Sequence, residues 1–151
     1  MIPDAVTFDA LYHQRWEPMV RLAGLTTGSK ALAEEIVQDA FVQLYRNWAT
    51  VHNPSAWLRV AVVNGGRGWL RRQSLERLHN TPAVTFAEPD ESVVIRDALR
   101  VLSRRQRAAV VLRYYEDLPE TEIAQIIGCR PGTVKSLLDR ATKKLRKELQ
   151  P

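Results

Sequence analysis

The chain has 151 residues, of which 45% are hydrophobic and 26% are charged, and its formal net charge is +5. This composition predicts a soluble protein of one or two small domains, and the absence of a long apolar run or a signal-peptide pattern predicts a cytoplasmic one without membrane insertion. A single cysteine excludes an internal disulfide, and three scattered histidines predict no metal site.

A long amphipathic helix is predicted after Gly28, with Ser29 as its N-cap. Its apolar stripe consists of Ala33, Ile36, Val37, Ala40, Phe41, Leu44 and Trp48. Its other side is acidic and polar and carries Glu34, Glu35, Gln38, Asp39 and Gln43. Solvation alone would explain that side, and a docking surface for a basic partner is the alternative.

Asn53 and Pro54 interrupt the chain before a basic segment over residues 54–73, PSAWLRVAVVNGGRGWLRRQ. Arginines among aromatics are typical of nucleic-acid binding, since an exposed tryptophan can stack on a base while arginines neutralise phosphates. The tryptophans can equally be core residues; they are Trp16, Trp48, Trp57 and Trp69. Three crowded glycines, Gly65, Gly66 and Gly68, should weaken this helix by about 1 kcal/mol each.

Residues 74–90 mix proline, serine, threonine and acidic residues without a sustained period, so we interpret them as a linker. Helical periodicity resumes after it, and no strong strand pattern occurs. The predicted fold is therefore all-α, with two small helical domains over residues 1–73 and 91–151.

In the second domain, Ser103 and Gln106 have the spacing of a capping box. The helix that they begin carries Arg104, Arg105 and Arg107, which would either contact phosphate or form a solvated first turn.

Two helical patterns meet at a tight turn over residues 118–145, which is the layout of a helix-turn-helix. Gly128 suits the end of the first helix, Cys129 is a small residue in the turn, and Pro131 suits the first position of the second helix. The second helix has an apolar stripe that should be buried: Val134, Leu138, Ala141, Leu145 and Leu149.

The remaining sides of this second helix are basic and hydrogen-bonding, and carry Ser136, Arg140, Lys143 and Lys147, flanked by Thr133, Lys135, Lys144 and Arg146. Such a face suits phosphates and base edges, although read alone it could be a solvated surface. Residues 58–80 and 130–151 carry net charges of +4 and +5, which leaves −4 for the rest of the chain. Two separate basic patches indicate two contacts with nucleic acid, while an acidic protein partner is the alternative for one of them.

No catalytic motif is present in the sequence. The GGRG stretch lies within a helical pattern and lacks the phosphate-binding P-loop arrangement, and no nucleophile stands near a histidine in a recognisable pattern. We therefore expect a protein that is not an enzyme and needs no cofactor.

Four motifs in this order resemble the extracytoplasmic-function, or group 4, sigma factors of bacterial RNA polymerase. They are AEEIVQDAFVQLYRNW at 33–48, PSAWLRVAVVN at 54–64, LSRRQRAAVVLRYYEDLPETEIAQIIGC at 102–129 and GTVKSLLDRATKKL at 132–145. The resemblance implies that the first domain is region 2, which holds polymerase and recognises the minus-10 element. It implies that the second is region 4, which recognises the minus-35 element.

The resemblance also assigns partners and residues. Docking on the β′ clamp would use Glu35, Gln38, Asp39 and Gln43, and region 4 would meet the β-flap through apolar residues near 111–115. Minus-10 binding would use Trp57, Arg59, Asn64, Arg67, Arg71 and Arg72, with residues 49–55 as a pocket for an extruded base. Minus-35 binding would use Arg130, Thr133, Lys135, Ser136, Leu137, Arg140 and Lys144.

Three features depart from the family pattern. The glycines Gly65, Gly66 and Gly68 crowd a stretch that should be helical, Leu137 stands where arginine is common, and Arg130 stands where a capping serine is usual. We expect an anti-sigma protein as a further partner, since family members often require one. The alternatives are a stand-alone helix-turn-helix regulator and an adaptor that binds polymerase without reading promoters.

Overall fold

The structure is a computed structural model that describes residues 7–76 and 91–150. Its helices are α1 (Phe8–Thr27), α2 (Lys30–Arg46), α3 (Pro54–Glu76), α4 (Glu91–Leu99), α5 (Arg104–Val110), α6 (Glu120–Ile127) and α7 (Pro131–Leu149). A single π-helical turn over Val111–Tyr115, here called the π-turn, continues α5. No strand occurs in these two segments, which confirms the predicted all-α class.

Helices α1, α2 and α3 pack against one another as a three-helix first domain. The hydroxyl of Thr7 caps α1 by accepting a hydrogen bond from the amide of Ala10. The hydroxyl of Ser29 caps α2 in the same way by accepting one from the amide of Leu32, as predicted. Between them Gly28 has a φ of 81°, a left-handed conformation that few other residues adopt without strain. This short turn brings α1 and α2 side by side as neighbours.

The predicted stripe of α2 is buried from Ala33 to Leu44, against residues of α1 and α3 such as Met19, Leu22 and Leu58. Trp48 follows the end of the helix and is half-buried. Its indole ring meets Phe8 edge to face at 5.5 Å. Trp16 and Trp57 also pack partly against the core, whereas the side chain of Trp69 lies outside the described ones.

Helix α3 continues through the three glycines to Glu76, three residues into the predicted linker. Gly65 has a packing role there, because a Cβ at this position would lie only 3.2 Å from Cγ2 of the buried Ile36. The glycine thus allows α3 to cross α2 closely. The rest of the predicted linker, residues 77–90, lies outside the part of the chain that the structure describes.

In the second domain, α7 packs against α4, α5 and α6. Ser103 and Gln106 form the predicted capping box, with hydrogen bonds of 3.2 and 3.0 Å between each side chain and the other residue's amide. Gly128 ends α6 at a φ of 81° and Pro131 begins α7, as the sequence predicts. The stripe of α7 is buried at Val134, Leu138 and Ala141, but Leu149 is 63% exposed because the last turn projects beyond the domain.

Candidate polymerase and nucleic-acid interfaces

Helix α7 presents its basic face to solvent. With the apolar stripe packed on the domain, the exposed residues among those predicted to bind the minus-35 element are Arg130, Lys135, Ser136, Arg140 and Lys144. Thr133 is partly buried, and Leu137 is partly buried against the core, so only part of that leucine faces outward. Arg130 is the N-cap residue and makes no side-chain cap, which leaves its guanidinium available at the start of the helix.

Two of these side chains have partners within the domain. The hydroxyl of Ser136 donates to the carbonyl of Gly132 at 3.3 Å, and the ammonium of Lys144 donates to Oε1 of Gln106 at 3.2 Å. Lys144 therefore lies beside the N-terminus of α5. Its cation connects the capping box of α5 with the basic face of α7.

The arginines at the start of α5 do not share one environment. Arg104 and Arg105 are exposed, whereas Nε of Arg107 donates to the carbonyl of Leu99 at 3.0 Å and ties α5 to α4. Burial, and secondarily the charge of Arg100, lower the pKa of Arg107. Arg107 is thus a structural brace, and the phosphate-contact hypothesis is left with the two exposed arginines.

On α3, Asn64 is exposed, and Trp57 is half-buried on the core. Positions 67, 71 and 72 lie in the helical backbone, but their side chains are outside those that the structure describes. The preceding turn is held by Thr50, whose amide and hydroxyl both donate to the carbonyl of Asn47 at 3.0 Å. The side chain of Asn53 then accepts the amide of Ala56 at 3.2 Å and caps α3.

Arg59 differs from the exposed cations of α7, because its Nε donates to Oε2 of Glu116 at 3.2 Å. Glu116 directly follows the π-turn of the second domain, so this ion pair joins the two domains. Beside it, Arg21 of α1 lies close enough to the hydroxyl of Tyr115 to lower its pKa. We call these five residues, Arg15, Arg21, Arg59, Tyr115 and Glu116, the seam.

Burial and the neighbouring charges of the seam together set the pKa of Tyr115. Burial raises the pKa of the Tyr115 hydroxyl, the positive charge of Arg21 opposes that rise, and the carboxylate of Glu116 adds to it. Arg15 also acts on this hydroxyl, and its buried Nε has no hydrogen-bond partner among the described residues. Three cations therefore surround one carboxylate and one neutral phenol.

The face of α2 opposite the core carries the four residues predicted to dock on polymerase: Glu35, Gln38, Asp39 and Gln43. All four are exposed. Val42 and Tyr45, which the sequence analysis did not assign, are exposed on the same helix at 45% and 68%. Their spacing from Gln38, four and seven residues, places them on the same side. The helical period could have identified this apolar component of the face.

The segment predicted to meet the β-flap is split by burial. Val111 and Leu112 are core residues, so within this segment Tyr114 and Tyr115 are the apolar side chains that a partner can reach. Tyr114 is 69% exposed, and the guanidinium of Arg113 lies 5.9 Å from its ring centre.

Neither a metal centre nor a membrane span is found in residues 7–76 and 91–150. No group of three or more histidine, cysteine or acidic side chains in these residues is placed to hold a metal ion. No helix among them is both long and apolar enough to cross a bilayer.

Comparisons with known proteins assign both domains. The family model for Sigma-70 region 2 matches residues 11–76, and that for Sigma-70, region 4 matches residues 92–145. The RNA polymerase sigma-E factor of Streptomyces coelicolor is 30% identical over an alignment 155 positions long, which covers 97% of this chain and 88% of the relative. The ECF RNA polymerase sigma factor SigM of Mycobacterium tuberculosis is also 30% identical, with 97% and 79% covered.

The fold is shared by solved structures of sigma factors. RpoE of Bartonella quintana, in complex with the anti-sigma factor NepR, matches with a TM-score of 0.81 at 22% identity, covering 95% of this chain and 98% of that one. The two family models and the 30% identical relatives confirm the resemblance seen in the four sequence motifs. The chain belongs to the extracytoplasmic-function sigma factors, which bind core RNA polymerase and direct promoter-specific initiation of transcription.

Proposed function

We propose that this chain performs initiation with three separate surfaces, one for polymerase and two for DNA. The observation that carries the proposal is that the polar face of α2, the exposed Asn64 of α3 and the basic face of α7 lie on three different helices. Each surface can therefore be altered by substitution without changing the residues of another. The protein acts in the cytoplasm, where polymerase and chromosome are found, and it has no catalytic step of its own.

Polymerase binding is assigned to α2. Glu35 and Asp39 supply negative charge for a basic surface on the β′ clamp, and Gln38 and Gln43 supply amide hydrogen bonds. Val42 and Tyr45 add apolar area beside them, which suits an interface whose centre is desolvated. Tyr114 is assigned to the β-flap, since it is the more exposed of the two tyrosines of the π-turn.

Minus-10 recognition is assigned to α3 and the turn before it. The amide of Asn64 offers both a donor and an acceptor to a base edge, and the turn over residues 49–55 would receive an extruded base. Extrusion costs a few kcal/mol, which base contacts and stacking offset. Trp57 would stack through its exposed part, and Arg59, Arg67, Arg71 and Arg72 would neutralise the phosphates of the opened strand.

Minus-35 recognition is assigned to α7 in duplex DNA. Arg130, Lys135, Arg140 and Lys144 supply cations for phosphates and guanine edges, and Thr133 and Ser136 supply hydroxyls. Leu137 offers an apolar contact, such as that with a thymine methyl group, in place of a further cation. This makes the reader less cationic than one with arginine at that position.

An anti-sigma protein is the partner that we propose for regulation. RpoE of Bartonella quintana, whose fold this chain shares, was solved in complex with an anti-sigma factor. A protein that competes with polymerase or DNA would bind the surfaces assigned to them here, the polar face of α2 and the exposed part of α3. Such a competitor would act by covering Asp39 or Asn64.

In vitro transcription with purified core polymerase tests this function. The full chain should direct initiation at promoters found by transcript-start mapping after its overexpression, and core polymerase alone should not. Polymerase binding without initiation would instead indicate an adaptor, and promoter binding by a chain that does not bind core polymerase would indicate a stand-alone regulator.

A further inference from the structure

The seam joins the two domains into one body. Helix α1 contacts the π-turn and α5, α3 contacts α6, and the buried residues of both domains form one continuous apolar cluster. The Arg59–Glu116 pair lies at this junction, with Arg21 beside Tyr115. The domains thus meet through apolar packing with a polar group of defined partners at its edge.

The Arg59–Glu116 pair is more shielded from solvent than four other ion pairs of the described residues. Its side chains are only 19% and 11% exposed, whereas each side chain is at least 40% exposed in the pairs His13–Asp9, Arg100–Asp97, Arg113–Asp117 and Lys143–Asp139. Exposed pairs contribute little, but removing one partner of a desolvated pair leaves a buried charge without compensation. Of these pairs, Arg59–Glu116 is therefore the one able to hold two elements together.

The local backbone is built to deliver Glu116 to this position. Its amide donates to the carbonyl of Val111 at 3.1 Å, a bond over five residues that closes the π-turn. Asp117 follows with a φ of 55°, and the amide of Leu118 then donates to the carbonyl of Leu112 at 3.0 Å. π-helical turns and left-handed residues other than glycine are uncommon, and both recur at functional sites.

The closed arrangement is too short for a promoter. The minus-10 and minus-35 elements lie about 25 base pairs apart, or about 85 Å along B-form DNA. A compact chain of 151 residues has a radius of gyration of about 15 Å and so a diameter near 40 Å. The chain between Glu76 and Glu91 can reach about 50 Å when fully extended, so separating the domains would provide the span.

We propose that the free chain holds itself closed through the Arg59–Glu116 pair, and that this latch withholds Arg59 from the minus-10 strand until polymerase separates the domains. The carboxylate of Glu116 pairs with the guanidinium of Arg59, to which a DNA phosphate would otherwise bind. The withholding of Arg59 rests on the DNA role proposed for it above. The closed state itself does not.

The latch should not affect the other DNA-binding face. The seam contains no residue of α7, and α7 packs on α4, α5 and α6. Opening should therefore increase binding of single strands by α3 and leave binding of duplex by α7 unchanged. This asymmetry distinguishes a latch from a general change of charge.

The experiment compares Glu116→Gln with Asp117→Asn in the full-length chain. Both changes remove one negative charge from adjacent residues, but the side chain of Asp117 is 94% exposed, lies outside the seam and pairs with Arg113 of the same turn. Asparagine also tolerates the left-handed backbone of this position, so Asp117→Asn keeps the chain path to Glu116. Small-angle scattering should show a larger radius of gyration for Glu116→Gln than for the parent and Asp117→Asn. Equal radii for all three proteins would overturn the latch while leaving the proposed function intact.

Fluorescence anisotropy supplies the DNA arm, with oligothymidine as the single strand and a mixed-sequence duplex as the second probe. Relative to Asp117→Asn, Glu116→Gln should bind the single strand about tenfold more tightly, as expected when one charge-assisted hydrogen bond of the closed state is lost. Duplex affinity should match that of Asp117→Asn. Expansion without a gain in single-strand affinity would overturn the withholding of Arg59 and remove that residue from the proposed DNA interface.

Circular dichroism establishes that the variants are folded. If Glu116→Gln is not helical, Arg59→Gln replaces it in the scattering measurement, because this change removes the charge of the other partner of the pair. A helical Arg59→Gln protein should also expand. A radius equal to that of the parent would overturn the latch.

Discussion

Helices α3 and α7 are both assigned to DNA, yet they differ in how their cations are held. On α7, Lys135 and Arg140 face solvent on the side opposite a buried stripe, and duplex DNA can reach them directly. On α3, Arg59 already has a carboxylate partner from the other domain. A basic residue on a helix assigned to DNA can therefore already be paired with a carboxylate of the same chain.

The largest expected effect comes from reversing a charge on the polar face of α2, which is assigned to polymerase. Asp39→Arg should weaken binding to core polymerase by about tenfold or more, because it replaces attraction to a basic clamp surface with repulsion. Binding to core polymerase is measured by fluorescence titration. Glu17→Arg, the same change at an exposed position of α1, is the control and should retain binding.

This variant also separates α2 from α7. Duplex affinity of the free Asp39→Arg protein should equal that of Glu17→Arg. A loss of polymerase binding in both variants would show a general charge effect and remove Asp39 from the docking surface.

Asn64→Ala tests the minus-10 role of α3. Removing the amide should lower open-complex formation at cognate promoters by about tenfold, within the range for loss of a good contact to a base edge. Permanganate footprinting of the holoenzyme measures opening. Gln125→Ala, which removes an exposed amide from α6, is the matched control.

Polymerase binding by Asn64→Ala should be unchanged. If the variant and the parent discriminate equally between matched and altered minus-10 sequences, Asn64 does not read a base.

Arg140→Ala tests the corresponding role of α7. Loss of one phosphate-neutralising cation should weaken minus-35 duplex binding severalfold and reduce the salt slope by about 1. Anisotropy titrations over a range of salt concentrations measure both quantities. Arg100→Ala, the same substitution in an exposed arginine at the end of α4, should leave the slope near its original value. An unchanged slope for Arg140→Ala would place that residue outside the interface.

The smallest expected effect concerns stability, and it contrasts one glycine in each DNA-assigned helix. Gly132→Ala meets open space and should stabilise the protein by up to about 1 kcal/mol through helix propensity. Gly65→Ala gains the same propensity but brings a methyl group 3.2 Å from Cγ2 of Ile36, which is buried and stiff, so we expect net destabilisation.

Urea unfolding of the two glycine variants measures this difference. A gain in unfolding free energy for Gly65→Ala as large as that for Gly132→Ala would show that α3 can move away from α2 without cost.

What the sequence could predict was local. The stripes of α2 and α7, the cap at Ser29, the capping box at Ser103 and the turn at Gly128 each depend on residues within one or two helical turns. Helix α1 was not delimited, because Pro18 lies inside it and its apolar period is weak. The exposure of Leu149 was missed because periodicity does not show where the domain beneath a helix ends.

The remaining features depend on how helices cross. Gly65 was interpreted as a defect in α3, and its value is visible only where Ile36 of α2 approaches it. Arg59 and Glu116 are 57 residues apart, so no spacing rule connects them. The DNA and polymerase roles of individual side chains stay predictions, and the experiments above decide them.

The π-turn makes the contact between Arg59 and Glu116 depend on helical register. A π-helical turn holds about one residue more than an α-helical turn. If the same residues continued α5 as a regular α-helix, Glu116 would lie roughly 100° further around the helix axis. It would then point away from Arg59, even with every seam residue still present.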